Sequence, residues 1–165
     1  STFTSAGLAA KSILINNKNW TITDGGLVFT SKSQLITAVN LWDSDRTSAI
    51  AIYGQISTWD VSGLTDFSQV FINNSSFNSD ISAWDMSSAT AISAMFGATG
   101  GSSAVTLSTA NYDALLIGWV AQTLNNTLTF SGGDSQFTAG GTAATARGTL
   151  TSSPINWTIT DGGSV

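Results

Sequence analysis

Apolar residues in the middle of the chain recur with a spacing of 25 residues. The string Ile-Ser-Thr-Trp-Asp-Val-Ser at 56–62 returns as Ile-Ser-Ala-Trp-Asp-Met-Ser at 81–87. The same spacing relates Leu64, Phe67, Val70 and Phe71 to Ala89, Ile92, Met95 and Phe96, and it relates Ile52 to Phe77. A fixed period of this length is typical of stacked repeats, in which each unit buries its apolar face against its neighbours.

Each unit predicts an extended start followed by a helical turn. Apolar residues at Ile56, Trp59 and Val61 favour a strand, and the later apolar positions lie three or four residues apart, as in a helix. Thr65 is then the predicted N-cap of that turn. One strand and one helical turn in 20–29 residues is the plan of leucine-rich repeats. We therefore predict an α/β fold, a short leucine-rich-repeat-like solenoid of strand plus short helix units with helical and strand caps at both ends.

Two amphipathic patterns flank the repeats and predict these caps. Ser31 and Gln34 have capping-box spacing, and the apolar face that follows consists of Leu35, Ile36, Val39 and Trp42. Ser108 precedes a second such face, which consists of Tyr112, Leu115, Leu116 and Trp119. Residues 124–130 predict a further strand, and the Gly- and Ser-rich residues 97–103 predict a flexible loop.

A second repeat brackets the chain. Residues 3–26 and 137–163 both run from Phe-Thr through small residues to Asn-Trp-Thr-Ile-Thr-Asp-Gly-Gly. Each copy predicts a helix, a short strand and a tight turn. We predict a single domain over residues 1–165: an N-terminal half-module and cap at 1–55, two repeats at 56–96, and a C-terminal cap at 97–165 that ends in the second half-module.

Composition excludes several classes of function. Five Lys and Arg residues face ten Asp, for a net charge of −5, and charged residues make up only 9% of the chain. Nucleic acids and anionic membranes attract clustered cations, so we expect neither as a partner. No His or Cys is present, which excludes Ser-His-Asp triads and cysteine nucleophiles and leaves no common zinc or haem ligand. No apolar stretch approaches the roughly 20 residues of a membrane-spanning helix. We predict no cofactor and no membrane insertion.

The Asp and Trp residues are the candidate site residues of this chain. Asp60 and Asp85 recur in the repeats and suggest either calcium binding or hydrogen bonds to backbone amides at a turn. We favour the second interpretation because each unit offers too few carboxylates for calcium. Asp43 and Asp45 are better explained by solvation at a helix end. Paired carboxylates could hydrolyse glycosides, but no Asp stands out as a proton donor.

The tryptophans allow two interpretations as well. They could form a stacking platform for carbohydrate, or they could be core residues. Repeating positions and apolar helix faces favour the core for Trp20, Trp42, Trp59, Trp84, Trp119 and Trp157. We therefore predict no catalytic residue, no metal site and no enzymatic activity.

The repeat pattern resembles that of BspA-like bacterial surface proteins, whose 26-residue-type surface repeat also occurs in Mycoplasma lipoproteins. The likeness is carried by Ile-Ser-x-Trp-Asp-x-Ser…Phe at 56–71 and 81–96, joined by Phe-Asn-Ser-Asp at 77–80. Residues 35–53 and 111–163 are similar to the caps of that group. The resemblance implies a leucine-rich-repeat-like solenoid that acts in surface display, adhesion or protein binding.

Two functions follow as predictions. Low charge, the matched half-modules and the lack of a visible export signal favour a capsid decoration protein on the outside of a virion. It would be a homo-oligomer that contacts copies of itself and a capsid or surface scaffold. The alternative is an extracellular adhesin on a bacterial cell surface that binds a host protein or glycan. In either case we predict contacts through Asn73, Asn74, Ser75, Ser76 and Ser79.

Overall fold

The computed structural model of the chain describes residues 5–18, 27–97 and 104–165. Its elements are, in chain order, α1 (Ser5–Lys18), α2 (Lys32–Ser44), α3 (Arg46–Tyr53), a 3₁₀ turn (Ile56–Thr58), α4 (Thr109–Val120), β1 (Thr129–Ser131), α5 (Thr142–Thr151) and β2 (Thr158–Thr160). Helices α2 and α3 form the N-terminal cap, and residues 104–165 form the C-terminal cap. The two 25-residue repeats lie between the caps.

The N-terminal cap forms as its pattern predicts. The Ser31 side chain accepts a hydrogen bond from the backbone N–H of Gln34 and so caps α2. Leu35, Val39 and Trp42 are buried, whereas Ile36 is half-buried on the same helix. A sharp turn follows at Asp45. Its backbone N–H donates to the carbonyl of Leu41 at the end of α2, and its side chain accepts from the N–H of Ser48 at the start of α3. Ile52, the residue aligned with Phe77, is half-buried in α3.

The two repeats lie side by side and share backbone hydrogen bonds. The N–H of Phe67 donates to the carbonyl of Ala91 at 2.7 Å, and the N–H of Phe71 donates to that of Met95 at 3.1 Å. A parallel bridge joins Asp66 to Ala91. Residues 65–71 of one repeat therefore run along residues 90–95 of the next.

The secondary structure predicted inside the repeat is wrong in detail. Its strand-like start is a 3₁₀ turn at Ile56–Thr58, and the predicted helix is a series of turns over residues 68–73. Thr65 is not an N-cap, because no helix follows it. Its carbonyl instead accepts hydrogen bonds from the backbone N–H groups of Thr90 and Ala91 in the next repeat. The pairing between repeats has replaced the hydrogen bonds within a helix. The leucine-rich-repeat-like solenoid stays a prediction.

The apolar pattern of the repeats predicted burial correctly. Within residues 56–96, each apolar position at the 25-residue spacing is buried in both units: Ile56, Trp59, Val61, Leu64, Phe67, Val70 and Phe71, and Ile81, Trp84, Met86, Ala89, Ile92, Met95 and Phe96. Aromatic rings connect this core to both caps, through the pairs Trp42–Trp59, Trp59–Trp84, Phe71–Trp84, Phe71–Phe96, Phe96–Phe130 and Phe130–Trp157. One continuous hydrophobic core thus reaches from α2 to β2.

The C-terminal cap contains a parallel pair of strands with a helix between them. Ser108 caps α4, and its predicted apolar residues Tyr112, Leu115, Leu116 and Trp119 are all buried. Strand β1 pairs with β2 in the register Thr129↔Thr158. The strand predicted over residues 124–130 is therefore shorter and covers Thr129–Ser131.

The bracketing repeat is described in full only in its C-terminal copy. There the helix α5 and the Thr-Ile-Thr strand β2 form as predicted. In the N-terminal copy the helix is α1, whereas the strand and turn predicted from Trp20 onwards lie outside the described residues. Residues 98–103 of the predicted flexible loop also lie outside them. The single-domain division stays a prediction.

Candidate interaction surface

The loop predicted to make contacts lies beside helix α2, but one of its residues does not face solvent. Asn73, Ser75 and Ser76 are exposed and Ser79 is half-buried. Asn74 is buried, with only 5% of its surface exposed. Its side-chain N–H donates to the amide oxygen of Asn40 at 3.2 Å. The prediction that Asn74 is a contact residue is wrong on this ground, because its side chain is used to fix the loop to α2.

Two further hydrogen bonds fix the same loop. Ser76 donates to the carboxylate of Asp43, and the indole N–H of Trp42 donates to the hydroxyl of Ser79 at 3.0 Å. Asp43 therefore has a structural partner in addition to its place near the end of α2. The loop is thus held against the C-terminal part of the helix, which gives the neighbouring surface a defined shape.

A shallow cavity of about 340 Å³ lies between α2 and the turns of the first repeat. Lys32 and Ile36 line it from the helix, and Gln69 and Asn73 line it from the repeat. The Lys32 ammonium is engaged with the Asp66 carboxylate at 3.1 Å and the Ser68 hydroxyl at 2.7 Å. Its charge is thus largely committed to holding the N-terminal cap against the repeat.

A larger and more open surface pocket lies where the N-terminal cap, the first repeat with the joint that follows it, and α4 meet, and we call it the junction pocket. Its volume is about 540 Å³, and it is broadly open to solvent. Trp42, Arg46 and Ile50 line it from the N-terminal cap, and Ile56 lines it from the first repeat. Its polar lining is completed by Gln55, Ser57, Asn78, Ser79, Asp80 and Asn111.

Hydrogen bonds from both caps to the joint between the repeats fix part of the lining of the junction pocket. The Asn78 side-chain oxygen accepts from the backbone N–H of Ser108 at 2.9 Å and from the side-chain N–H of Asn111 at 2.8 Å. The bond from Trp42 to Ser79 closes the opposite side. The Arg46 guanidinium carbon lies 5.0 Å from the centre of the Trp42 ring. Cation–π contact thus places a positive charge at the rim.

Sequence reasoning found only Ser79 among the residues that line the junction pocket. The remaining polar residues come from four separate segments, so no local motif unites them. The one available signal was the polar run Asn78-Ser79-Asp80 at the joint between the repeats.

The recurring Asp residues bind backbone amides, as the favoured interpretation predicted. Asp60 accepts from the N–H of Ser62 at 3.1 Å, and Asp85 accepts from that of Ser87 at 2.9 Å. Asp45 caps α3 and accepts from the N–H of Ser48 at 3.1 Å, so it has a more specific role than solvation at a helix end. Within the described ranges, no group of three or more carboxylates lies close enough to hold a metal ion.

Carboxylate pKa values in these turns shift downwards where a shift is resolved. Hydrogen bonds from Ser48 and from Ser87 lower the pKa of Asp45 and of Asp85. Burial raises the pKa of Asp66, but hydrogen bonds from Ser68 and Lys32 outweigh it and the net shift is downwards. A general acid for glycoside hydrolysis needs the opposite shift.

The tryptophans in the described part of the chain are core residues, as predicted. Trp42, Trp59, Trp84, Trp119 and Trp157 are each at most 4% exposed. The indole N–H of Trp84 donates to the carbonyl of Ile56 across the repeat joint at 2.9 Å. Trp20 lies outside the described residues. None of the five described rings offers an open face for stacking.

A buried ion pair in the C-terminal cap escaped the sequence analysis. Asp161, whose side chain is 2% exposed, accepts from Arg147 at 2.7 Å and from the Tyr112 hydroxyl at 2.8 Å. Burial, followed by the Asp161 charge, raises the pKa of Tyr112. The Asp161 hydrogen bond raises the pKa of Arg147. These groups connect α4, α5 and the residue after β2, so we assign them a structural role.

Comparison with known proteins gives a family for this architecture of two repeats between caps. Residues 47–137, more than half of the chain, match the family described as "Mycoplasma protein of unknown function, DUF285". The chain belongs to this family. No curated protein and no solved structure matches it.

Membership of a Mycoplasma family supports one part of the resemblance seen in the sequence. It is compatible with a bacterial surface protein, the coarser of the functional predictions. The description of the family names no activity and no partner. Among the described residues, no helix has the length and apolar character to cross a membrane.

Proposed function

We propose that this chain is a non-enzymatic interaction protein displayed on a bacterial cell surface, built as a short leucine-rich-repeat-like solenoid. The observation that carries the proposal is the family match over residues 47–137, which includes both repeats. The matched segment contains every residue of the junction pocket from Gln55 to Asn111. Most of the lining of the junction pocket therefore lies in the segment that matches the family.

The state of the carboxylates supports a binding role over catalysis. Asp60, Asp80 and Asp85 each hold a backbone amide two residues later. Asp66 does the same at a repeat turn, and Asp45 holds the amide three residues later at a helix start. Residues with such structural hydrogen bonds are poorly suited to exchange protons during a reaction cycle.

Electron microscopy with gold-labelled antibodies tests where the protein acts. Antibodies raised against the purified chain would be applied to intact, unpermeabilised cells of the producing organism and to virus-like particles purified from the same culture. Labelling of intact cells is the expected result. Permeabilised cells serve as the control, and label confined to them would contradict surface display.

Capsid decoration remains a separate prediction, and the same experiment distinguishes it. Labelled particles with unlabelled cells would favour a decoration protein over a cell-surface protein. Light scattering adds a second criterion, because a decoration protein that contacts copies of itself should assemble at high concentration. We expect a monomer for the cell-surface protein over a wide concentration range, and a compact oligomer would favour decoration.

A further inference from the structure

The junction pocket carries hydrogen-bonding groups that the fold itself does not use. One carboxylate oxygen of Asp80 accepts from the N–H of Ser82 at 2.9 Å, which leaves the other oxygen available. Asn78 uses its amide oxygen twice, and its NH₂ group has no hydrogen bond within the described residues. Over the same part of the chain, the Arg46 guanidinium has no carboxylate within ion-pairing distance.

These groups place donors and acceptors in the lining of the pocket, beside apolar side chains. Asp80 supplies an acceptor, Asn78 and Arg46 supply donors, and Gln55 supplies both. Ile50 and Ile56 contribute apolar lining. A ligand that fits must carry many groups that both donate and accept, together with a small apolar face. A sugar ring meets this description through its hydroxyls and its C–H surface.

Other ligand classes fit the pocket less well. A phosphate group favours several cations, whereas this pocket is lined by one cation, Arg46, and one carboxylate, Asp80, in a chain of net charge −5. A nucleobase or aromatic side chain needs an open ring for stacking, but Trp42 is only 3% exposed and is covered by Arg46. An aliphatic side chain would leave the polar rim desolvated and unpaired.

Part of the lining, at Asn78 and Ser79, is also held in place before a ligand arrives. Trp42 fixes Ser79, and the Ser108 amide and Asn111 fix the carboxamide of Asn78. Short polar side chains that are already oriented lose little conformational entropy on binding. This arrangement suits a weakly interacting polyol.

We infer that the junction pocket binds one uncharged saccharide unit, with Asp80, Asn78, Gln55 and Arg46 as its hydrogen-bonding residues. The inference rests on the proposed function, since it gives the cell-surface protein its class of ligand. Arg46 and Asp80 together carry no net charge, which favours a neutral sugar over an acidic one.

A glycan array followed by titration tests this inference. The fluorescently labelled chain would be applied to an array that carries neutral and sialylated glycans, and the best neutral hit would then be titrated as the free saccharide. We expect Asp80→Asn to weaken binding about tenfold, because it replaces a charged acceptor while keeping the oxygen that Ser82 needs. Gln55→Ala should also weaken binding, since Gln55 is exposed and its side chain makes no hydrogen bond within the described residues.

Asp85→Asn is the matched control. Asp85 forms the same turn with Ser87 in the second repeat and does not line the pocket, so its variant should bind within about twofold of wild type. Absence of glycan binding, binding to acidic glycans alone, or equal affinity of the Asp80→Asn chain would overturn the inference. The location experiment is independent: labelled cells with a blank array leave the proposed function intact and remove only the ligand class.

Discussion

Short polar side chains define the turns of this protein at the residue scale. Asp60, Asp80 and Asp85 each accept from the backbone N–H two residues later, and Ser31 and Ser108 accept at helix starts. Such local pairings are encoded within a few residues of sequence, which is why the two caps and the two recurring Asp turns were predictable.

Asn74 shows where residue-scale prediction fails. Its neighbours are polar, and the run Asn-Asn-Ser-Ser favours an exposed loop. Its burial comes from Asn40 on α2, 34 positions earlier in the chain. No local pattern contains that partner, so the contact could be learned only from the tertiary structure.

Asp66 should make stability depend on acid pH. The folded protein lowers its pKa below the usual 3.8, so the carboxylate contributes stability above that pH and loses it as pH falls through the folded value. The gap in urea midpoint between wild type and Asp66→Asn should be largest near about pH 7 and shrink towards about pH 2. A gap that stays constant over this range would show that ionisation of Asp66 does not stabilise the fold.

Asp161→Ala should destabilise the C-terminal cap by about 3 kcal/mol, because it leaves Arg147 and the Tyr112 hydroxyl without their partner. The estimate is at the low end for a buried pair, since the Arg147 side chain is 26% exposed. Equilibrium unfolding in urea measures it. Asp134→Ala, at an exposed position, is the control and should change stability by less than about 0.5 kcal/mol. Equal effects would contradict a structural role for the ion pair.

Repeats at the element scale were easier to recognise than their secondary structure. The 25-residue period identified the buried positions correctly in both units. Apolar residues three and four positions apart within each repeat predicted a helix. The backbone N–H groups of Phe67 and Phe71 instead donate to carbonyls of the next repeat. Burial follows from the repeated pattern, whereas backbone conformation depends on partners in the neighbouring unit.

Close packing of α4 on the second repeat depends on a helical glycine. A Cβ at Gly118 would overlap the carbonyl oxygen of Ser82. Gly118→Ala should therefore destabilise the chain by about 1–3 kcal/mol, although alanine is the better helix former. Thermal unfolding monitored by circular dichroism measures the change.

Gly148 in α5 provides the matched control, because nothing lies within 4 Å of a Cβ built there. Gly148→Ala should stabilise the protein by about 0.5–1 kcal/mol through helix propensity alone. If both alanine variants stabilised the chain, α4 would not lie as close to the second repeat as described.

The whole molecule brings together what no single segment specifies. Residues from α2, α3, the first repeat with the joint that follows it, and α4 line the junction pocket, and they extend from Trp42 to Asn111. The sequence predicted the repeats, the helices of the caps, and Ser79 as a contact residue. The pocket itself could not be predicted, because it depends on how the caps close over the repeats.

The aromatic rings provide a physical reason to expect cooperative folding. The described ring contacts run from Trp42 in the N-terminal cap through Trp84 and Phe96 to Trp157 in the C-terminal cap. Neither cap has a separate core, since the buried residues of both belong to the same cluster. We therefore expect the caps and repeats to unfold together.

Urea unfolding followed by two probes tests this central claim most directly. Tryptophan fluorescence reports on rings spread over both caps and both repeats, and far-ultraviolet circular dichroism reports mainly on the helices of the caps. We predict one transition with the same midpoint by both probes, as for a single cooperative unit. Two separated transitions would show that the caps and repeats are independent, and the junction pocket would then lack the rigid frame on which the proposed binding depends.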